Sequence, residues 1–230
     1  MKAWNWEGFF GYLVNPYLLQ GAAVTLGLTV AAIAGGLIVG CILSLLRLSQ
    51  YKWLVQLAKG YIWIFRGTPL LVQLIIIYTG LPQLGVKFSV VESALLGLIL
   101  NEAAYLAEII RGGILGVTPG QGNAARALGL NSAQAMLYVV LPQAIRIIIP
   151  ALGNSVNGLL KTTSVTSVIS MEELLRKTQI LIQEKFLVLE LFAVAAIYYL
   201  LLTSTWDLVQ RRIEARYGRA YKTLSVTEGH

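Results

Sequence analysis

The chain has 230 residues, of which 57% are hydrophobic and only 13% carry a charge, whereas an average soluble domain has roughly 25% charged residues. This deficit indicates that a lipid bilayer is the chain's solvent, and it argues against a soluble globular domain. The only cysteine is Cys41 and the only histidine is His230, which excludes a disulfide framework, a cysteine-based metal site and histidine-centred catalysis. We therefore expect no metal site.

Five apolar runs are long enough to cross a membrane as helices. The first covers residues 21–46 without a charge, and a helix of that length spans about 39 Å against an apolar bilayer core of ~30 Å. Within it, Gly36 and Gly40 form a G-x-x-x-G pair, which permits close helix approach. The other predicted spans cover residues 57–81, 90–113, 139–160 and 187–209.

The cations indicate the orientation of these spans. They lie around the first connection, beside the segment that precedes the fourth span, and after the last span: Arg47, Lys52 and Lys59; Arg111, Arg126 and Arg146; Arg211, Arg212, Arg216, Arg219 and Lys222. All fall on one side if the N-terminus is outside, and that side is then cytoplasmic. The net charge of +7 is therefore mainly a topology signal, and we expect no nucleic-acid partner.

Residues 118–138, called the knob below, are polar and rich in small residues between two apolar spans. Asn123 is a good N-cap for a short helix, and Gly129 suits the position just after its end. Asn131 or Ser132 then starts a second helix. This pattern predicts a protruding pair of helices on the cytoplasmic side; a reinforced loop between spans is the alternative.

Polar side chains inside the spans are costly and usually face a bundle interior or a water-filled cavity. In the second span they flank Pro69, which is disfavoured in a helix interior. In the third span they recur at the three- to four-residue spacing that places them on or beside one face of a helix. At the end of the fourth span they mark an expected break in the helix. The candidate binding residues in these positions are Thr68, Gln73, Asn101, Glu102, Tyr105, Glu108, Lys161, Thr162, Thr163 and Ser164.

A structural role is the alternative for each of these residues. Arg66 and Glu108 could form a buried ion pair or cap that fixes the bundle, Glu102 could pair with Lys161, and Tyr105 could simply pack. The segment 171–186 is amphipathic, with apolar residues near one side. It suits a helix lying at the outer interface, where it could act as a gate, or it could be a mere connector.

Several stretches resemble the permease subunits of ATP-binding-cassette (ABC) importers. The run "AARALGL" followed by "VVLPQAIRIIIPALGN" is similar to the E-A-A loop of that family, which forms its coupling helix. The stretches "FRGTPLLVQL" (65–74), "NEAAYLAEIIRGGI" (101–114) and the run 141–170 narrow the resemblance to the histidine/glutamine/arginine type. It covers nearly the whole chain, from about residue 20 to 212.

The resemblance implies an all-α membrane bundle, with five transmembrane helices and the type I ABC importer permease fold, in a single domain over residues 1–230. It implies that the knob docks on a cytoplasmic ATPase. The residues carried over to that contact are Asn123, Ala124, Ala125, Arg126, Leu128 and Gly129. Where the family usually has Glu before the Ala-Ala pair, this chain has Asn123, which removes the charge from one contact.

The resemblance also implies partners in a bacterial cytoplasmic membrane: two ATPase subunits that bind the ATP, a second permease chain, either a copy or a paralogue, and an external solute-binding protein. No phosphate loop of the G-x-x-x-x-G-K type occurs in the sequence, so we expect no ATP hydrolysis and no bound cofactor. The competing hypotheses are a membrane-embedded enzyme, with Lys161 and Ser164 as a dyad, and a passive channel that would not need the knob.

The substrate predicted for an importer is a polar amino acid. Two carboxylates in the third span, Glu102 and Glu108, would bind an α-ammonium and a cationic side chain, while Lys161 and nearby hydroxyls would bind the α-carboxylate. This set favours arginine, lysine or histidine. Glutamine or glutamate stays the alternative, because Glu102 could be protonated or paired with Lys161.

Overall fold

The computed structural model describes residues 4–222, and side chains as far as Tyr217. His230 and the side chains of Arg219 and Lys222 lie outside the described part. The helices are α1 (Trp6–Tyr12), α2 (Pro16–Arg47), α3 (Lys52–Gly67), α4 (Leu70–Ile75), α5 (Val90–Leu115), α6 (Pro119–Ala127), α7 (Ser132–Ala135), α8 (Leu141–Thr162), α9 (Leu174–Lys185) and α10 (Val188–Lys222). Shorter 3₁₀ and π turns extend α4 to Leu84, join α7 to α8, and follow α8 as far as Ile169.

The predicted all-α membrane bundle is confirmed. Four stretches are long and apolar enough to span a bilayer: Pro16–Arg47, Val90–Leu115, Ser132–Ile169 and Val188–Tyr217. A fifth span forms if α3 and the helical stretch Leu70–Leu84 are taken together. The last two of the four extend beyond the predicted runs 139–160 and 187–209. The helices continue into flanking polar residues, which a prediction based on apolar runs does not include.

The second span is not the straight helix implied by the apolar run 57–81. The direction of the span changes by 101° between its two halves, because Thr68 and Pro69 both have extended backbone conformation. Pro69 also lacks the N–H that would continue the helical hydrogen bonds. The bend brings Thr68 to a cavity that residues of α5 and α8 also line.

Close contact between α2 and α5 holds the bundle together. A Cβ atom at Gly40 would lie 3.0 Å from the Cβ of Leu106 and 3.1 Å from the main-chain oxygen of Ala103. A Cβ atom at Gly36 would lie 3.2 Å from side-chain atoms of both Glu102 and Leu106, so the predicted role of the G-x-x-x-G pair in close packing is confirmed. One apolar core cluster joins α2, α4, α5 and α8 through Leu28, Leu74, Leu98 and Leu159. Burial of these side chains stabilises the packing of the four helices.

The amphipathic segment 171–186 forms α9, which packs against α2 and α10. Its buried face includes Leu174 and Leu181, as the pattern predicts, but also Lys177. The fully buried carboxylate of Glu173 caps α9, accepting from two main-chain N–H groups and from the Tyr199 hydroxyl, which lies 3.0 Å away. Burial raises the pKa of the Glu173 carboxyl, and these hydrogen bonds oppose the rise.

Candidate functional site

A polar cavity of about 560 Å³ opens where the α3–α4 bend meets α5 and α8. Five of the predicted binding residues line it: Thr68, Asn101, Glu102, Tyr105 and Thr162. Two polar residues outside the predicted set, Arg66 and Ser155, line it as well. The cavity therefore gathers side chains from three spans that are far apart in sequence.

Glu102 is the buried anion of this cavity. Its side chain comes from the middle of α5, and the residue is only 7% exposed. The Ser155 hydroxyl of α8 donates a hydrogen bond to the carboxylate, but among the described side chains no cation lies within salt-bridge distance. The alternative pairing of Glu102 with Lys161 is wrong. A buried carboxylate without a counter-ion is costly, so a cationic occupant would be favourable here.

Arg66 is the cation of the same cavity. It is the last residue but one of α3, and its guanidinium lies 5.2 Å from the centre of the Tyr105 ring, a cation–π contact. The predicted binding set did not include Arg66, for which the sequence left open a structural ion pair or cap with Glu108. The sequence did contain a signal: Arg66 lies inside an apolar run, directly before the helix-breaking stretch Gly67-Thr68-Pro69. A charged residue within a span usually faces a polar cavity.

Gln73 does not line the cavity. It is 6% exposed and lies behind the cavity wall, where its side-chain amide meets the main chain of the bend and the amide of Asn101. Asn101 thus belongs to two environments, since it borders the cavity and bonds to Gln73, 3.0 Å away.

Glu108 lies outside the cavity, in an ion cluster. Its carboxylate is 3.3 Å from Arg47 at the end of α2 and 2.8 Å from Arg111, one turn along α5. The expectation that Glu108 pairs with Arg66, or joins Glu102 in one site, is therefore not met. A residue six positions further along α5 is displaced by about 9 Å, which separates the two carboxylates.

Lys161 and Ser164 face away from the polar cavity. Both line a different cavity of about 400 Å³ against α10, with Tyr199 and Thr203. Thr163 is fully buried and donates to the main-chain oxygen of Leu160. Ser155 and Thr162 are seven residues apart and share the face toward α5, whereas Lys161 is rotated from Thr162 by about 100°.

The break expected at 161–164 is a change of helix type. At Thr163 the α-helix tightens into a 3₁₀ turn, which ends at Ser170 with φ of 65°. The Ser164 hydroxyl donates to the main-chain oxygen of Lys161 at 2.6 Å, so this geometry does not support a Ser–Lys catalytic dyad.

The knob consists of α6 and α7, but α6 begins earlier than predicted. Its N-cap is Thr118 and its first residue is Pro119, a favoured first position because proline's missing N–H would be unpaired there anyway. The prediction of Asn123 as N-cap is wrong. Asn123 lies inside α6, and its side chain accepts a hydrogen bond from Arg126 at 2.5 Å.

The end of α6 is as predicted. Gly129 has a φ of 91°, and Leu130 N–H bonds to the oxygen of Ala125 while Gly129 N–H bonds to that of Arg126, which is the Schellman arrangement. Asn131 then caps α7 in a capping box with Gln134. Leu128, at the turn, is 84% exposed. The knob therefore exposes an apolar side chain at a turn that main-chain hydrogen bonds hold in place.

A bundle of spanning helices around a polar cavity is the architecture of a membrane permease. The chain belongs to the family described as binding-protein-dependent transport system inner membrane component, whose model matches residues 32–219.

Relatives agree with this assignment. The arginine transport system permease protein ArtQ of Bacillus subtilis (strain 168) is 37% identical over 205 residues, covering 87% of this chain and 94% of ArtQ. The glutamine transport system permease protein GlnP of Escherichia coli (strain K12) is 36% identical over 204 residues, covering 87% and 93%.

A solved structure, described as the crystal structure of an amino acid ABC transporter with histidines, superposes with a TM-score of 0.88. It is 38% identical and covers 94% of this chain and 100% of that chain. The chain is accordingly an amino-acid ABC importer permease subunit with the type I permease fold. Such a subunit is a non-enzymatic inner membrane component that works with ATPase and substrate-binding partners.

Proposed function

We propose that this permease carries basic amino acids, and that the polar cavity binds them. The observation that carries the proposal is the pair of opposite charges in one cavity that do not neutralise each other. Glu102 and Arg66 both line the cavity, yet no salt bridge joins them in the described part of the chain. Each is therefore available to an opposite charge on a ligand.

The charges and neutral acceptors match an amino acid with a cationic side chain. Arg66 would bind the α-carboxylate, for which a guanidinium is well suited. The Thr68 and Thr162 hydroxyls already donate to main-chain oxygens, and the Thr68 hydroxyl also accepts from Gln73. The acceptors left for the α-ammonium are therefore the Thr162 hydroxyl, one lone pair of Thr68 and the Asn101 side-chain oxygen. Glu102 is then the partner of the side-chain cation.

Glutamine is the second candidate, and relatives that carry the name of either substrate support both. With Glu108 held in its ion cluster, the cavity has one free carboxylate instead of the predicted two. If Glu102 bound the α-ammonium itself, no carboxylate would remain for a charged side chain. The choice depends on which ammonium or guanidinium Glu102 meets.

Equilibrium binding to the purified permease–ATPase complex tests the proposal. Omitting the solute-binding protein ensures that the selectivity measured is that of the membrane subunit. Labelled arginine should be displaced by lysine and histidine, and at least about tenfold less readily by glutamine and glutamate, because a charge-assisted hydrogen bond contributes roughly 1.5–3 kcal/mol. Equal displacement by glutamine would reject the basic preference and leave the cavity as a site for neutral substrates.

The assembly proposed around this chain has a second permease chain, either a copy or a paralogue, and two ATPase subunits that bind ATP. A solute-binding protein delivers the amino acid from outside, and the path opens alternately to the two sides. The knob supports this proposal, since Leu128 projects from it on a turn fixed by hydrogen bonds. In this proposal the ATPase seats on the knob and drives the change.

The proposed orientation places the N-terminus outside and both the knob and the C-terminus in the cytoplasm of a bacterium. In a Cys41→Ser background, a membrane-impermeant maleimide should label Gln183→Cys on α9 in intact cells. Leu128→Cys should react only in inverted vesicles, prepared from cells that lack the ATPase so that the knob is uncovered. Both positions are exposed, whereas Ala125 is buried and unsuitable for labelling. Reaction of Leu128→Cys in intact cells would reverse the orientation.

A further inference from the structure

The bend in the second span leaves main-chain carbonyl groups without helical partners. In a continuous helix the Phe65 carbonyl would accept from the N–H of residue 69, but Pro69 has none. The Thr68 carbonyl receives no main-chain hydrogen bond within residues 4–222. Inside a bilayer such groups need partners within the protein or in a water-filled cavity.

One buried side chain, Gln73, supplies those partners. Its Nε2 lies 3.0 Å from the Phe65 oxygen, 3.1 Å from the Thr68 main-chain oxygen and 2.9 Å from the Thr68 hydroxyl. The Asn101 Nδ2 of α5 lies 3.1 Å from the same Phe65 oxygen and 3.0 Å from Gln73 Oε1. The bend and α5 are thus held together by two amides.

The Asn101 amide connects this network to the polar cavity. Its two N–H groups are used by Phe65 and Gln73. Its Oδ1, which has no hydrogen bond in the part of the chain that the structure describes, is left for an occupant of the cavity that Asn101 lines. A ligand that donates to this oxygen therefore contacts a side chain that is tied to the bend.

We propose that Gln73 is a positioning residue, which fixes the bend of the second span and orients the Asn101 amide toward the substrate. The proposal rests on the polar cavity being the substrate site. Since Asn101 meets the α-ammonium, which every amino acid carries, the effect of Gln73 on affinity is the same for basic and neutral substrates. Occupancy of the cavity and the angle between α3 and α4 are coupled through this pair of amides.

The first test is the binding of labelled arginine and labelled glutamine to the purified complex with Gln73→Leu. Losing a buried donor that serves two carbonyls should weaken both ligands by the same factor, about tenfold. Gln56→Leu is the matched control, because Gln56 is exposed on α3, away from the bend. Unchanged affinity in Gln73→Leu, or a loss confined to one ligand, would overturn the proposal.

The second test measures the bend itself and does not require that the substrate be known. Spin labels at the exposed positions Leu57 and Leu84, in the Cys41→Ser background, report the distance across the break. Gln73→Leu should broaden or shift that distance distribution. An unchanged distribution with lost binding would mean that Gln73 acts on the ligand directly, contrary to the proposal. A changed distribution in a complex whose parent binds no amino acid would instead count against the proposed function.

A second-site change separates positioning from support of the fold. Pro69→Ala returns an N–H to the Phe65 carbonyl, so in the Gln73→Leu background it should restore the amount of complex in the membrane. It also favours a straighter span, so amino-acid binding should stay weak. Full recovery of binding in the double variant would show that Gln73 only satisfies carbonyl groups.

Discussion

Replacing Glu102 by Gln should weaken the binding of arginine and lysine by about 10- to 150-fold, the factor that corresponds to a charge-assisted hydrogen bond of roughly 1.5–3 kcal/mol in a desolvated site. The substitution keeps the size of the side chain and leaves an oxygen for the Ser155 hydroxyl that donates to it. What it removes is the charge. Glutamine, which has no side-chain cation, should lose much less affinity.

Competition between labelled arginine and glutamine in the parent and Glu102→Gln complexes measures this directly. Glu184→Gln is the matched control, since it removes a carboxylate from an exposed position on α9 and should change neither affinity. Equal losses for both ligands would assign Glu102 to the α-ammonium. No loss for either would remove Glu102 from the site.

Replacing Gly129 by Val should reduce uptake per ATP hydrolysed in reconstituted vesicles by about 5- to 30-fold, because left-handed backbone costs an ordinary residue roughly 1–2 kcal/mol. A β-branched residue is a particularly poor fit at a φ of 91°. Space is not the reason, since nothing lies within 4 Å of a Cβ built there. The strain would open the turn that holds Leu128 outward, and the ATPase would then seat poorly.

Gly129→Asn is the control for this prediction. Asparagine tolerates the left-handed region, so this variant should keep most of the coupling while still adding a side chain at the turn. A Val variant with an unchanged ratio of uptake to hydrolysis would show that the turn geometry is not what the ATPase responds to. Equal defects in both variants would instead indicate a steric contact at Gly129.

The spans and the end of α6 could be predicted because their signals are local. Long apolar runs identify helices that need a bilayer, and the G-x-x-x-G pair marks where α2 meets α5. Gly129 followed by Asn131 stops one helix and starts the next through backbone conformation and capping, which depend on a few neighbouring residues. The start of α6 was missed because Thr118-Pro119 and Asn123 both resemble helix starts, and local chemistry does not rank them.

The composition of the cavity required the tertiary structure. Glu102 and Glu108 share a helix and a charge, yet Arg47, from α2, holds Glu108 in an ion cluster with Arg111. Lys161 and Thr162 are neighbours in sequence, yet they line different cavities.

The sequence alone determined where the apolar spans lie and which polar residues lie within them. The tertiary structure decided which of those residues meet, because that depends on the rotation of each helix about its axis. Packing fixes this rotation: Gly36 and Gly40 set how closely α2 approaches α5, and the network of Gln73 and Asn101 holds the bend. Such contacts join residues far apart in sequence, and a rotation of about 100° per residue turns a small difference in packing into a different set of partners.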